Sequence, residues 1–186
     1  MIVLMSAFLL LSAFSCGGGN KANSTSEQSE ETAVNVPQFD ADSAYLYVKN
    51  QVDFGPRVPN TKEHVACGNY LAGQLEAFGA QVTNQYADLI AYDGTLLKAR
   101  NIIGSYKPES KKRIALFAHW DTRPWADNDP DEKNHNTPIL GANDGASGVG
   151  ALLEIARLVN QQQPELGIDI ILLDAEDYGA PQFYTG

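Results

Sequence analysis

Histidine, cysteine, tryptophan and methionine are all scarce in this chain, with 3, 2, 2 and 2 residues respectively among 186. Positive charge is scarce too, with 13 Lys and Arg against 23 Asp and Glu and a net charge of -10 at pH 7. A nucleic-acid-binding surface needs a basic face to replace the counterions of the phosphates, so this balance excludes that class. It equally excludes docking on an anionic membrane surface through charge. The only basic run, Lys111-Lys112-Arg113, stands just before an apolar stretch and reads as a solvated strand entry. There is no internal repeat, and no apolar run reaches the ~20 residues that a helix needs to cross a bilayer. What remains is an ordinary globular composition, 44% apolar and 19% charged, in a length that suits one domain with a short appendage.

The appendage is at the start. Residues 1–14 are almost wholly apolar and are followed at once by Ser15-Cys16-Gly17-Gly18-Gly19. An apolar run of this length before small residues is the pattern of an export signal. A cysteine directly after it resembles a bacterial lipoprotein signal, in which the thiol is acylated and becomes the mature N-terminus. Residues 1–16 are therefore expected to be a signal peptide with Cys16 as the lipidation site. No Lys or Arg precedes the apolar run, which keeps an ordinary cleaved signal as the alternative. The expected location is outside the cytoplasm, as a cell-envelope lipoprotein or in the periplasm, touching the membrane only through the lipid. Residues 17–38 are mostly Gly, Ser, Asn, Thr, Gln and Glu without apolar period and read as a disordered tether. Cys67 is left without an obvious partner, and its helical context makes it a buried small apolar residue.

From residue 39 the pattern is that of a folded domain. Asp42 or Ser43 can cap a helix running to about Val52, with Ala44, Tyr45 and Val48 on one face. Phe54-Gly55-Pro56-Arg57 breaks it, and Thr61 starts a second helix that ends at Gly79 and carries Val65, Tyr70, Leu71, Leu75 and Phe78. Asp93-Gly94 is a hairpin turn between strands at 81–92 and 96–105. Residues 113–118 and 168–173 are short apolar strands, the second of the kind buried on both faces. Between them, 145–160 is a helix with Val149, Leu152, Leu153, Ala156 and Val159 as its core stripe. The expected fold is α/β, a three-layer α/β/α sandwich around a mixed central sheet.

Three segments concentrate the unusual residues: His119-Trp120-Asp121, Gly141-Ala142-Asn143-Asp144-Gly145 and Asp174-Ala175-Glu176-Asp177. Two of them follow apolar strands, at the carboxyl ends where open α/β sheets bind ligands. The other immediately precedes a helix, where Asp144 alone would read as an N-cap. His nitrogen and carboxylate oxygen are zinc donors, and a catalytic zinc keeps three protein ligands and one open position. Adjacent acids such as Glu176 and Asp177 point in different directions, so one can bind metal while the other moves protons. Close carboxylates also need a compensating cation, which zinc supplies.

The ordered triplet His-x-Asp, Gly-Ala-Asn-Asp-Gly-Ala-Ser-Gly-Val and Asp-Ala-Glu-Asp resembles the zinc aminopeptidase superfamily, over the chain from residue 39 onward. Within it, His119-Trp120-Asp121-Thr122-Arg123-Pro124-Trp125-Ala126-Asp127, the terminal Asp of the third motif and Phe54-Gly55-Pro56-Arg57 look like the bacterial glutaminyl cyclases. That resemblance implies one Zn2+ held by Asp144 and Asp177, Glu176 as the catalytic proton shuttle, and His119 near the site without ligating. Peptides or proteins with an N-terminal glutamine are the implied partners. Trp120 and Trp125 are candidates to line the glutamine pocket, or else they pin the loop 119–143. The runner-up is an aminopeptidase with two zinc ions in which His119 is a ligand; a third reading is a non-catalytic surface lipoprotein. Family members carry a further Asp and a late metal-binding His beyond the third motif, and neither His64, expected on an exposed helix face, nor His135, in a polar loop, replaces it. The chain is thus expected to be the N-terminal part of the catalytic domain, truncated at its C-terminus and inactive by itself.

If Cys16 is acylated, Cys16→Ser moves the protein from the membrane fraction to a soluble form or leaves the precursor unprocessed. Fractionation of cells expressing both forms decides this, and unchanged partition and processing would exclude the lipid anchor.

Overall fold

A computed structural model describes residues 35–180. Cys16, the expected signal segment 1–16 and most of the expected tether lie outside the described residues. The elements are α1 (Ala41–Val52), α2 (Lys62–Ala77), β1 (Gln81–Ile90), β2 (Leu96–Tyr106), β3 (Arg113–His119), a short 3-10 turn (Glu132–Asn134), α3 (Ala146–Gln161) and β4 (Gly167–Leu173). The four strands form one mixed sheet in the order β1-β2-β4-β3, flanked by helices, which is the α/β fold expected. β1, β2 and β4 pair antiparallel, while β3 and β4 run parallel.

The helix termini follow from short-range chemistry. Asp40, rather than Asp42 or Ser43, caps α1, its carboxylate accepting the amides of Asp42 at 3.0 Å and Ser43 at 3.2 Å. Thr61 caps α2 through the His64 amide, and Gly79 follows the C-cap residue Phe78 at φ 80°, a conformation that a residue without Cβ adopts most easily. The β1–β2 connection is longer than a two-residue turn: the Ala91 amide donates to the Thr95 carbonyl at 2.8 Å, with Gly94 at φ 85° between them.

α2 and α3 lie on the same face of the sheet. A Cβ on Gly104 of β2 would meet Leu75 of α2, and a Cβ on Gly148 of α3 would meet Ala118 of β3; both strand positions align, through the register, with Ile170 and Leu172 on one face of β4. Leu71, Leu75, Ile102, Val149, Leu152, Leu153, Ala156, Ile170 and Leu172 form this core, each large aliphatic side chain contributing about 1.5–3 kcal/mol by leaving water. The α3 stripe is the expected one. On the other sheet face, Ile103, Ile171 and Leu173 are only half-buried and Phe117 is 59% exposed. β4 is therefore fully buried on one face rather than both, because among the described residues the helices cover that face alone.

α1 reaches this core through α3, and one expectation changes as a result. Tyr45 points to solvent, while Tyr47 packs against the core and Gln51 is buried, its amide donating to the Ala146 carbonyl at 3.1 Å. The cause is Gly150, whose missing side chain brings the α1 backbone so close that a Cβ would lie 2.7 Å from Val48 and 2.9 Å from the Ala44 carbonyl. Gly150→Val should therefore cost about 1–3 kcal/mol by forcing the helices apart, whereas Tyr45→Ala should stay within about 0.5 kcal/mol. Urea unfolding of the intact protein measures both, and a neutral Gly150→Val would contradict this helix contact.

Candidate metal centre

Parallel pairing of β3 with β4 aligns His119 with Leu173, so both strands end at the same place. The Trp120 amide extends the ladder by one bond to the Leu173 carbonyl, 3.0 Å away. The first motif therefore begins beside the third. α3 starts against them, with Gly145 so close that a Cβ would lie 2.8 Å from the Asp121 carbonyl oxygen. Gly145 is itself the N-cap residue, at φ 87° and without a side-chain cap bond. Asp144 is thus not a cap, and its carboxylate, 63% exposed, turns to His119.

His119 stands at the centre. Its Nε2 donates to Asp144 Oδ1 at 3.0 Å, and Nδ1 faces Asp121 at 3.5 Å and Glu176 at 3.6 Å. Asp121, with the charges of Glu176 and Asp144 behind it, pushes the imidazole up to about 9 against the opposing effect of burial. Asp177 is buried, and desolvation first, then the Asp144 and Asp121 charges, push its carboxyl up to about 6. Among the described residues, Asp177 Oδ2 and His119 Nδ1 are buried without a hydrogen-bond partner, and ligand atoms of His119, Asp144 and Asp177 lie within 4.8 Å of one another. Nitrogen and carboxylate oxygen so arranged fit a zinc ion.

The third motif is shaped almost entirely by side chains. The Asp174 amide donates to Asn101 Oδ1 at 3.0 Å and the Ala175 amide to Asp174 Oδ1 at 2.7 Å. The Glu176 and Asp177 amides donate to the two oxygens of Asp121 at 3.3 and 3.0 Å. Ala175 adopts φ 62°, a left-handed conformation that costs a residue with a Cβ of order 1–3 kcal/mol. This turn buries Asp177 and leaves the Glu176 side chain 61% exposed.

Two arginines fasten the surrounding loops. Arg57, fully buried, donates to the carbonyls of Trp120 (3.4 Å), Leu140 and Gly141 (2.9 Å). Arg123 pairs with Asp127 at 2.5 Å and donates to the carbonyls of Asp177 and Gly179. The structural parts played by Asp121, Arg57 and Arg123 were not read from the sequence, although all three residues stand inside its quoted motifs. Nothing in those motifs shows which carbonyl or amide a side chain will reach.

The remaining predicted residues divide. Trp120 is fully buried, stacked on His64 at 4.3 Å and donating to the Arg100 carbonyl; this is the pinning role. Trp125 packs edge-on against Tyr178 and lines, with Arg123, Ile139 and Asp144, a cleft of ≈ 260 Å³ beside the metal residues. His64 is not on an exposed face: its side chain is buried against Asp174, because α2 turns that side towards the sheet. His135 bonds the Asp129 carbonyl within its own loop. Cys67 is buried as expected, its thiol pushed up to about 12 by desolvation.

Comparison with known proteins agrees with this geometry. Residues 101–184 match Peptidase family M28. A Bacteroides thetaiotaomicron glutaminyl cyclase bound to N-acetylhistamine is 95% identical with a TM-score of 0.79, covering 82% of this chain and 52% of that one. A structure from the same species described as a leucine aminopeptidase precursor has the same identity, coverage and TM-score. A Tannerella forsythia glutaminyl cyclase is 58% identical with a TM-score of 0.78, covering 81% of this chain and 52% of that one. The chain spans about half the length of these solved structures and about a third of the length of the first curated relative it matches. Fold and site together fit the zinc aminopeptidase superfamily. Within that superfamily the chain is similar to bacterial glutaminyl cyclases, over about half of their length.

The two raised pKa values have a consequence for the metal-free protein. A base that binds its proton more tightly when folded stabilises the fold below its unfolded pKa, about 6.5 for histidine. His119 loses that contribution as pH rises through about 9, and Asp177 acts in the same direction at lower pH, through about 6. Thermal melts of the chelator-treated protein should show the melting temperature falling from pH 6.5 to 9 and the fall flattened by His119→Gln. A melting temperature that rises across this window would contradict the assignment.

Proposed function

We propose that this chain carries the zinc-holding and proton-transferring residues of a glutaminyl-peptide cyclotransferase, which converts an N-terminal glutamine to pyroglutamate and releases ammonia. The 95% identity with a glutaminyl cyclase across most of the chain carries this reading. Asp144 and Asp177 would hold a single zinc ion. When bound, zinc supplies Lewis-acid polarisation at the γ-carboxamide oxygen.

The protein's own residues do the rest. The free α-amine of the substrate attacks the carbonyl carbon (Cδ) of its own side-chain carboxamide; a C–N bond forms there and the bond from that carbon to the amide nitrogen breaks. Glu176, exposed at the mouth of the site, accepts the proton from the amine and returns it to the departing ammonia. Trp125 offers an apolar wall for the glutamine side chain, and a cleft that holds the chain folded back brings amine and carbon to high effective molarity. Asp121 holds the backbone of Glu176 and Asp177, so that base and ligand keep one spacing. The protein is taken to act outside the cytoplasm, on peptides with N-terminal glutamine, a location supported by the apolar segment ahead of Cys16.

One observation favours a second reading. His119 lies within ligand distance of the same centre as Asp144 and Asp177, and a two-zinc aminopeptidase would use it as a ligand with water as nucleophile. Variants of the intact protein separate the two. Glu176→Gln should keep zinc while turnover falls by about 10²–10⁴-fold, the range for a general acid/base. Asp144→Ala should lose metal and activity together. His119→Ala should leave zinc near one per chain in the cyclase, but reduce two towards one in the peptidase. Ammonia from an N-terminal glutamine peptide with one zinc bound supports the cyclase; leucine released from an N-terminal leucine peptide with two zinc ions bound would overturn it.

A further inference from the structure

At the start of the third motif lies a second buried polar pair that the proposed reaction does not use. His64 of α2 places Nε2 2.9 and 2.8 Å from the two carboxylate oxygens of Asp174, and both side chains are sealed from solvent. The imidazole is stacked on Trp120, with the rings at 19° and their centroids 4.3 Å apart. Trp120 is held in turn by its indole N–H on the Arg100 carbonyl, 3.2 Å away. Asp174 also accepts the amides of Arg100 at 2.6 Å and Ala175 at 2.7 Å. A buried carboxylate is stable only with its acceptor sites filled, and among the described residues His64 supplies the side-chain donor to Asp174.

Asp174 is the first residue of the turn that carries Glu176 and Asp177. Ala175, the only residue between Asp174 and Glu176, is held at φ 62°, a conformation that persists only where its surroundings over-determine it. Asp121 grips the turn from one side through the Glu176 and Asp177 amides. Asp174 grips it from the other through the Ala175 amide, and His64 anchors Asp174 to α2. We propose that His64 is a positioning residue for proton transfer at Glu176, acting through Asp174 to hold the turn at Ala175. This rests on the assignment of Glu176 as the proton-transfer group.

The test uses the intact zinc-loaded protein, with His64→Ala, His64→Gln and Asp174→Asn compared with wild type. Amide hydrogen exchange across residues 175–177 reads the strut directly, and ammonia release from an N-terminal glutamine peptide reads its effect. In His64→Ala, exchange at 175–177 should accelerate by on the order of tenfold while the α2 amides keep their protection. The kcat should fall about 10–100-fold, the range seen when a supporting hydrogen bond behind a reactive group is lost. KM should stay within about twofold, since the substrate's own contacts are unchanged, and zinc content should not change. His64→Gln, whose amide N–H can reach Asp174, should restore part of both kcat and protection. Should His64→Ala fail to fold, Asp174→Asn decides through the same readouts, with the same loosening expected. Unchanged exchange and kcat in a folded variant would overturn the proposal. So would a loss that spreads through α2 and is not rescued by glutamine, since that is the mark of a purely structural pair. If wild type releases no ammonia, the cyclase reading fails by itself, while exchange at 175–177 still decides whether His64 holds the turn.

Discussion

Asp121 is a carboxylate without access to solvent, and it receives the amides of both Glu176 and Asp177 while facing the His119 ring. A buried negative charge is tolerable only when hydrogen bonds and a nearby cation compensate it. Here the compensation is the site itself. Two backbone N–H groups fix the spacing between the exposed acid and the buried one, and His119 is drawn between Asp121 and Asp144. Removing that carboxylate would release three groups at once, so Glu176, Asp177 and His119 are mechanically one unit.

The loops that complete the unit have little regular structure, yet they are not loosely held. Residues 120–145 contain only one short turn of 3-10 helix, and they are tied down from beneath by Arg57 and from the side by Arg123. Arg57 directs its donors to main-chain carbonyls, which pins backbone, while Arg123 divides its donors between the Asp127 carboxylate and the carbonyls of Asp177 and Gly179. The Arg57 charge lies near Asp121 and Asp177, where it partly offsets the acids without occupying the place of a metal. Gly141, at φ 55°, would put a Cβ 2.4 Å from Thr122. The second motif therefore needs glycine there for the loop to close over the first.

Solved structures of equal identity to this chain are described as a glutaminyl cyclase and as a leucine aminopeptidase precursor. In the two proposed readings Asp144, Asp177 and Glu176 would have places in both mechanisms. What would distinguish them chemically is whether His119 gives up its proton to become a ligand or keeps it and balances the carboxylates. A metal centre that binds deprotonated ligands couples that choice to pH.

Much of this was legible in the order of residues. Strand–helix–strand periodicity located β3, α3 and β4 nearly to the residue, because a continuous apolar run and a 3.6-residue stripe are unambiguous when both are long. The three acidic motifs announced a metal centre because each falls at an end of one of those elements. Local chemistry alone, however, could not say that Tyr45 faces solvent and Gln51 the core, since Gly150 on a different helix sets that contact. It misplaced His64, whose partner Asp174 is 110 residues away, and it left Trp120 and Trp125 undivided between core and cleft. The sequence by itself determined which elements form and which side chains can hold zinc and move protons, since these depend on periodicity and donor type. Only the tertiary structure decided which groups meet, which carboxylates are buried and which loops are pinned, because burial and hydrogen bonding arise between residues that the chain keeps far apart.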